Sequence, residues 1–101
     1  MTTEPGYEIL AETLQSALDQ AQHGKGKERH ANNRPFIQQT IMETTRSHGL
    51  GYPLGQAEKK ARESHRLPTI DRKIAELLGA IVYLAAAVIR LREQEPENSK
   101  S

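Results

Sequence analysis

Basic and amide side chains that could bind a phosphate group cluster in residues 23–34 of this 101-residue chain. The stretch has two glycines and no large apolar side chain, which is typical of a loop. Pro35 follows it and suits the first turn of a helix, whose unpaired backbone N–H groups favour an anion. We predict that Arg29 and Arg34 hold phosphate, because arginine can bind it with two hydrogen bonds, and that Asn33 contacts a base or ribose. The alternative is a solvated loop whose charges keep the protein soluble.

The connection formed by residues 49–56 combines three glycines with an aromatic ring, Tyr52, and an amide, Gln56. Stacking on a tyrosine together with an amide hydrogen bond is one way to hold a nucleobase, so Tyr52 is a predicted ligand contact. The alternative is an ordinary glycine-rich connection between two helices, with Tyr52 packed over it as a hydrophobic lid.

Three basic residues, Lys59, Arg62 and Arg66, are spaced so that they share one face of a predicted helix. We expect Lys59 and Arg62 to contribute to phosphate binding. The alternative is a solvated face, since Glu58 stands four residues before Arg62 and can form the ion pair common on exposed helices.

Several classes of site are disfavoured by the residue content. The chain has no cysteine, and none of its four histidines is paired at i,i+4 spacing, so we expect no disulfide, no metal site and no bound cofactor. No Ser-His-Asp arrangement or G-x-S-x-G turn is present, so we expect no catalytic residue. Lys and Arg total 14 against 13 for Asp and Glu, a net charge of +1 that makes nucleic acid an improbable partner.

The elements that must position these residues are predicted to be helices in a single domain, residues 1–101. Only 4% of residues are aromatic, so the core must be aliphatic and alanine-rich, which favours an all-α fold. The spacing predicts short N-terminal helices, 6–22 and 35–48, packed on a C-terminal antiparallel hairpin of helices 53–66 and 69–95. Residues 23–34 are predicted to form a basic loop and 96–101 a disordered tail, because Pro96 stops the last helix.

The last helix carries a heptad repeat with β-branched residues at one core position and leucine at the other. Its six members are Ile74, Leu77, Ile81, Leu84, Val88 and Leu91. A second apolar stripe runs beside them, and a helix apolar over so much of its circumference must be covered on several sides. We therefore predict a homo-oligomer formed through residues 70–91. The alternative is a monomeric four-helix core.

We expect a cytoplasmic protein without a membrane span. The longest uncharged run, residues 77–89, has 13 residues, fewer than the roughly 20 that a span needs. Residues 1–5 lack the basic and apolar regions of a signal peptide.

Two stretches of the last helix resemble known families. Glu76-Leu77-Leu78-Gly79-Ala80, followed by Tyr83-Leu84-Ala85, resembles the last helix of the MazG-like all-α nucleotide pyrophosphatases, in which carboxylates on two helices hold magnesium. This chain has Ala75 and Ala80 where that motif places acids, and metal catalysis on a triphosphate needs several carboxylate oxygens. A nucleotide pyrophosphohydrolase, or a degenerate relative of one, is therefore one alternative function.

The other resemblance is carried by Ala80-Ile81-Val82-Tyr83 and then Ala86-Ala87-Val88. These residues resemble the helical-hairpin sponges with which bacteriophages sequester cyclic-nucleotide immune signals, the anti-CBASS and anti-Thoeris group. The resemblance implies a non-enzymatic oligomer that binds a cyclic nucleotide between subunits, in the host cytoplasm, as an anti-defence protein. We expect this function, with a helical protein–protein adaptor as a further alternative.

Overall fold

The chain is all-helical over residues 3–24 and 34–99, the part described by the structure, a computed structural model, and this confirms the predicted fold class. Helix α1 is Glu8–His23, α2 is Thr40–His48, α3 is Gly51–Ser64 and α4 is Ile70–Ser99. A short 3-10 turn, Phe36–Gln38, precedes α2. The long α4 packs against each of the other three helices.

Helices α3 and α4 form an antiparallel hairpin. Near the connection between them, Lys73 Nζ donates a hydrogen bond to the backbone oxygen of His65 at 2.6 Å. At the far end, the rings of Tyr52 and Tyr83 meet edge to face with their centroids 5.9 Å apart. Residue numbers therefore rise along one helix as they fall along the other. Thr69 caps α4, as its sequence position predicts, because its Oγ1 accepts a hydrogen bond from the backbone N–H of the third helical residue at 3.1 Å.

The two hairpin helices approach closely because small residues lie between them. Ala57 on α3 and Ala80 on α4 are buried. Lys60 lays its aliphatic stem against Gly79 and pairs its ammonium with Glu76 at 3.2 Å. Leu54 and Ala61, two apolar residues of α3, are exposed. The face toward α4 instead includes Pro53, Lys60 and Ser64, which are buried or half-buried.

Helix α2 continues the path of the hairpin toward the C-terminal end of α4. Gly49 separates α2 from α3 with φ +88° and ψ 178°, a backbone conformation that is essentially restricted to glycine. Met42 and Thr45 are fully buried, and the Thr45 hydroxyl donates to the backbone oxygen of Ile41 at 2.7 Å. Arg46 reaches Glu93 on α4. These contacts hold α2 against the long helix.

The helix bounds differ from the expected ones at several points, and α3 is Gly51–Ser64 rather than 53–66. The first helix begins at Glu8 rather than residue 6, since Gly6 has φ +92°. The predicted helix 35–48 is interrupted at Gln39, which has an extended backbone (ψ 162°) and whose carbonyl accepts the backbone N–H groups of Met42 and Glu43 in α2. Helix α4 runs through Pro96 to Ser99 instead of stopping before it, because a proline so near the end removes one backbone hydrogen bond only.

The buried core is made mostly of small side chains. Helix α1 contributes Ala17, and its Gln20 side chain donates to the backbone oxygen of Ala75 on α4 at 2.9 Å. The buried apolar residues of the described chain are Ala17, Met42, Ala57, Ala80, Ala86 and Ala87. Most large aliphatic side chains of α1 and α4 are about half exposed.

Candidate functional site

An open groove of about 690 Å³ lies between α1, the 3-10 turn and the middle of α4. This volume is in the range of small-molecule sites, roughly 300–1,000 Å³. Most of its lining is apolar, and it also includes four polar side chains and one aromatic ring. The lining residues are Leu14, Ala17, Leu18, Ala21, Gln22, His23, Arg34, Phe36, Gln39, Ile81, Val82, Ala85 and Ile89.

Arg34 is the cation of this groove. Its guanidinium lies 3.7 Å from the Glu43 carboxylate, and both side chains are about half exposed. An ion pair this open to solvent contributes little, about 0–1 kcal/mol, so a competing anion can replace the carboxylate. The backbone oxygen of Arg34 accepts a hydrogen bond from the Gln39 side chain at 2.9 Å, which ties the arginine to the residue that begins α2. The backbone of Arg34 is therefore held in place, while its guanidinium is accessible to an anion.

The groove also receives both ends of the basic stretch. His23 and Arg34 line it, and residues 25–33 of the chain, which lie outside the described residues, connect the two sides. Two predicted ligand residues, Arg29 and Asn33, belong to that connection, so their placement is not described. Of the six predicted ligand residues, Arg34 is the one that the described structure brings to the groove.

Tyr52 does not line the groove. It is half-buried against Tyr83, in the position of the hydrophobic lid that was the alternative interpretation. Burial raises the pKa of Tyr52 to about 12, and the hydrogen bond with Tyr83 adds to the effect. Its ring is already in contact with Tyr83, so the expected stacking on a nucleobase is not supported by this geometry.

Lys59 and Arg62 are also away from the groove. Both are exposed on α3, and Arg62 forms the predicted i,i+4 ion pair with Glu58. The basic face of α3 is thus a solvated helix surface with its own carboxylate partner. These two residues and Arg34 do not form one site.

The carboxylate of Glu76, which carries the resemblance to the pyrophosphatases, is held by Lys60 within the hairpin. Among residues 3–24 and 34–99, no group of three His, Asp or Glu side chains could hold a metal ion. The geometry therefore gives no support to the pyrophosphohydrolase alternative.

Helix α4 presents a second candidate surface. The heptad residues of the last helix, called the seam below, are the six from Ile74 to Leu91 defined above. Five of them are 44–51% exposed, and Ile81 is half-buried at the edge of the groove. The expected cover of this face is not supplied by α1, α2 or α3.

The same segment, Ile70–Glu95, is long and apolar enough by length and composition to cross a membrane, because it contains an 18-residue window with a mean hydropathy of 2.0, of which 17% is buried. The expectation of no membrane span was based on the longest uncharged run. The apolar window of this helix is longer than that run because it also includes two charged residues. Both charges, Glu76 and Arg90, form ion pairs with other side chains. Core helices of soluble proteins meet the criterion as well, although they are usually more buried than this one.

No protein-family model, curated protein or solved structure matches the chain. The two family resemblances therefore stay predictions.

Four residues of the groove were missed by reasoning from the sequence: Gln22, His23, Phe36 and Gln39. The available signal was the position of Phe36, two residues after Arg34. An aromatic ring beside an arginine at the end of a basic stretch is a plausible base-and-phosphate pair.

Proposed function

We propose that this protein is a self-associating helical protein that binds and sequesters a phosphate-bearing nucleotide in the groove between α1 and α4. The observation that carries the proposal is a largely apolar groove that Arg34 and Phe36 both line. The half-buried Phe36 ring offers a face for a base, and Arg34 offers two N–H donors for a phosphate.

The ligand class follows from this pairing of chemistries. A free phosphate would use the arginine and leave the apolar lining unoccupied, whereas a nucleoside would use that lining and leave the arginine paired with Glu43. A nucleotide uses both, and the resemblance to cyclic-nucleotide sponges favours a cyclic immune signal sequestered by a phage anti-defence protein in the bacterial cytoplasm.

A thermal-shift titration with linear and cyclic nucleotides tests the proposal, with the matching nucleosides and inorganic phosphate as separate arms. A nucleotide present at 100 times its Kd stabilises the fold by about 2.7 kcal/mol, which raises the Tm of a domain this size by roughly 10 °C or more. We expect R34Q to remove that increase and R62Q, a matched substitution at an arginine outside the groove, to leave it unchanged.

Glu43 supplies the opposite control. Because its carboxylate occupies Arg34, E43Q is expected to tighten nucleotide binding. If no nucleotide raises the Tm of the wild-type protein, or if R34Q binds as well as wild type, the groove is not a nucleotide site. Release of pyrophosphate from a nucleoside triphosphate with magnesium would favour the pyrophosphohydrolase alternative instead.

The exposed seam favours a second candidate function, a helical adaptor that docks another protein on α4. In that case nucleotides would leave the Tm unchanged, and the purified protein would be a monomer that binds a hydrophobic dye through the exposed seam. Flotation with lipid vesicles separates this outcome from membrane insertion of the same helix.

A further inference from the structure

The seam on α4 is large enough to form a stable interface between two copies of this chain. Its six half-exposed side chains present on the order of 600 Å² of apolar surface, at the upper end of what a monomer normally leaves open. Ile70, which is 72% exposed, extends the same line by one heptad position. With Ile70 included, the seam approaches the roughly 800 Å² that each partner of a standard interface buries.

Few charged residues lie beside the seam, and they can favour one relative orientation of two paired α4 helices. Ile74, Ile81 and Val88 occupy heptad position a, so Asp71 and Arg92 both fall at position e, on the same side of the seam. Both are exposed, and neither forms an ion pair with another described residue. Their partners would therefore come from outside the described chain.

We propose that two copies of this protein pair through α4 in an antiparallel arrangement, in which Asp71 of each copy meets Arg92 of the other. The core layers are then Ile74 with the other copy's Leu91, Leu77 with its Val88, and Ile81 with its Leu84. The two-fold axis passes midway between Ile81 and Leu84. The two residue numbers add to the same sum in every core layer, so a single antiparallel register forms all three layers. The same register brings both Asp71–Arg92 pairs together.

The parallel arrangement matches these residues poorly. In a parallel pair, position e of one helix faces position g of the other, so Arg92 would meet Ala87. Ala87 is already buried within its own subunit, and Asp71 would have no helical partner. The parallel pair therefore forms neither ion pair. Antiparallel pairing also places opposite ends of the two helix dipoles together.

The pairing bears on the groove as well, since Ile81 belongs to both the seam and the groove lining. A second copy seated on the seam lies along the open side of the groove and reduces its contact with water. Hydrogen bonds between Arg34 and an anion strengthen when water is excluded. The inference rests on the self-association in the proposed function and does not depend on the identity of the ligand.

Disulfide trapping tests the orientation directly, because the chain has no native cysteine. The variants I74C and L91C are prepared separately, one of them labelled with 15N, and are oxidised alone and as a mixture, beside light scattering of the wild-type protein. We expect wild type to have the mass of a dimer. We also expect the mixture to give a disulfide dimer of one labelled and one unlabelled chain, with each variant alone giving little. A61C, at an exposed site on α3 away from the seam, replaces I74C as the control for random collision.

Each outcome decides a different part of the proposal. Disulfide dimers formed by I74C alone would overturn the antiparallel arrangement while leaving self-association intact. A monomeric mass for wild type, with no cross-linking in the mixture, would overturn both. Neither result depends on nucleotide binding, which the Tm titration measures separately.

Discussion

The guanidinium of Arg46 holds the carboxylate of Glu93 at two points, with Nε to Oε1 at 3.0 Å and Nη2 to Oε2 at 2.6 Å. Arg90 approaches the same carboxylate at 3.4 Å. This contact joins residues 47 positions apart and fixes α2 against the C-terminal turns of α4. It is the one ion pair of the described chain that connects α2 to α4.

The Arg46–Glu93 contact should make stability depend on pH in the acid range. The hydrogen bond from Arg46 lowers the pKa of Glu93 below its ordinary value of 4.5, and Arg90 adds to the shift. A lowered folded pKa stabilises the fold above the ordinary value, and this contribution is lost as pH falls through the folded pKa. We expect E93Q to lower the Tm at neutral pH and the difference from wild type to vanish in strong acid. Circular-dichroism melts across this range measure it.

The matched control for that series is E58Q, which removes a carboxylate from an exposed i,i+4 pair on α3. Its Tm should follow wild type at every pH, since such pairs contribute little. A Tm difference between wild type and E93Q that stays constant down to strong acid would show that the charge of Glu93 does not stabilise the fold.

The Tyr52–Tyr83 contact should make the stability of the fold depend on pH in the alkaline range. Burial is the main cause that raises the pKa of Tyr52 to about 12, and the hydrogen bond with Tyr83 is the second. A raised folded pKa stabilises the fold below the ordinary value of 10.0, and this contribution is lost as pH rises toward 12. We expect an absorbance titration of tyrosinate to show one late step that Y52F removes. Y7F, which changes an exposed tyrosine, should leave that step in place.

Two glycine-to-alanine substitutions should change stability in opposite directions. Gly49 has φ +88°, so G49A is expected to destabilise the fold by about 1–3 kcal/mol. Gly55 lies inside α3 with open space around it, so G55A is expected to stabilise by about 0.5–1 kcal/mol through helix propensity. Urea unfolding of the two variants measures the difference. Equal effects would mean that the chain does not turn at Gly49 as described.

A charge placed on the seam should separate the proposed dimer without unfolding the subunit. Leu84 is 47% exposed, so L84E removes apolar surface but leaves no cavity in the described core. We expect the mass of L84E to fall to that of a monomer with its helical circular dichroism retained. I37E changes an equally exposed isoleucine away from the seam and should remain a dimer. A dimeric L84E would place the interface elsewhere.

Much of the fold could be predicted from the sequence because its signals are local. The heptad spacing on the last helix, the Thr69 cap and the Glu58–Arg62 pair each depend on neighbours within one or two turns. The break in the helix at Gln39 and the continuation of α4 through Pro96 were not predicted, because the prediction used local signals alone. A preference for starting or stopping a helix is weak, and contacts elsewhere in the fold decide whether it is followed.

The groove could not be predicted in the same way. Its walls come from α1 and α4, which are distant in sequence, and the pairing of Arg34 with Phe36 depends on the turn before α2. The predicted set joined Arg34 to Tyr52 and Lys59 because all are basic or aromatic. The type of a side chain does not tell which face of α4 its helix covers. Tyr52 and Lys59 belong to α3, which lies outside the groove.

The alanine-rich core has a consequence for how the protein responds to concentration. Five of the six buried apolar residues of the described chain are alanines, which withdraw little hydrocarbon from water when a lone subunit folds. The bulkier aliphatic groups are withdrawn from water when copies meet, so association adds stability to subunits that are already folded. The melting midpoint should therefore rise with protein concentration and fall on dilution toward that of the lone subunit.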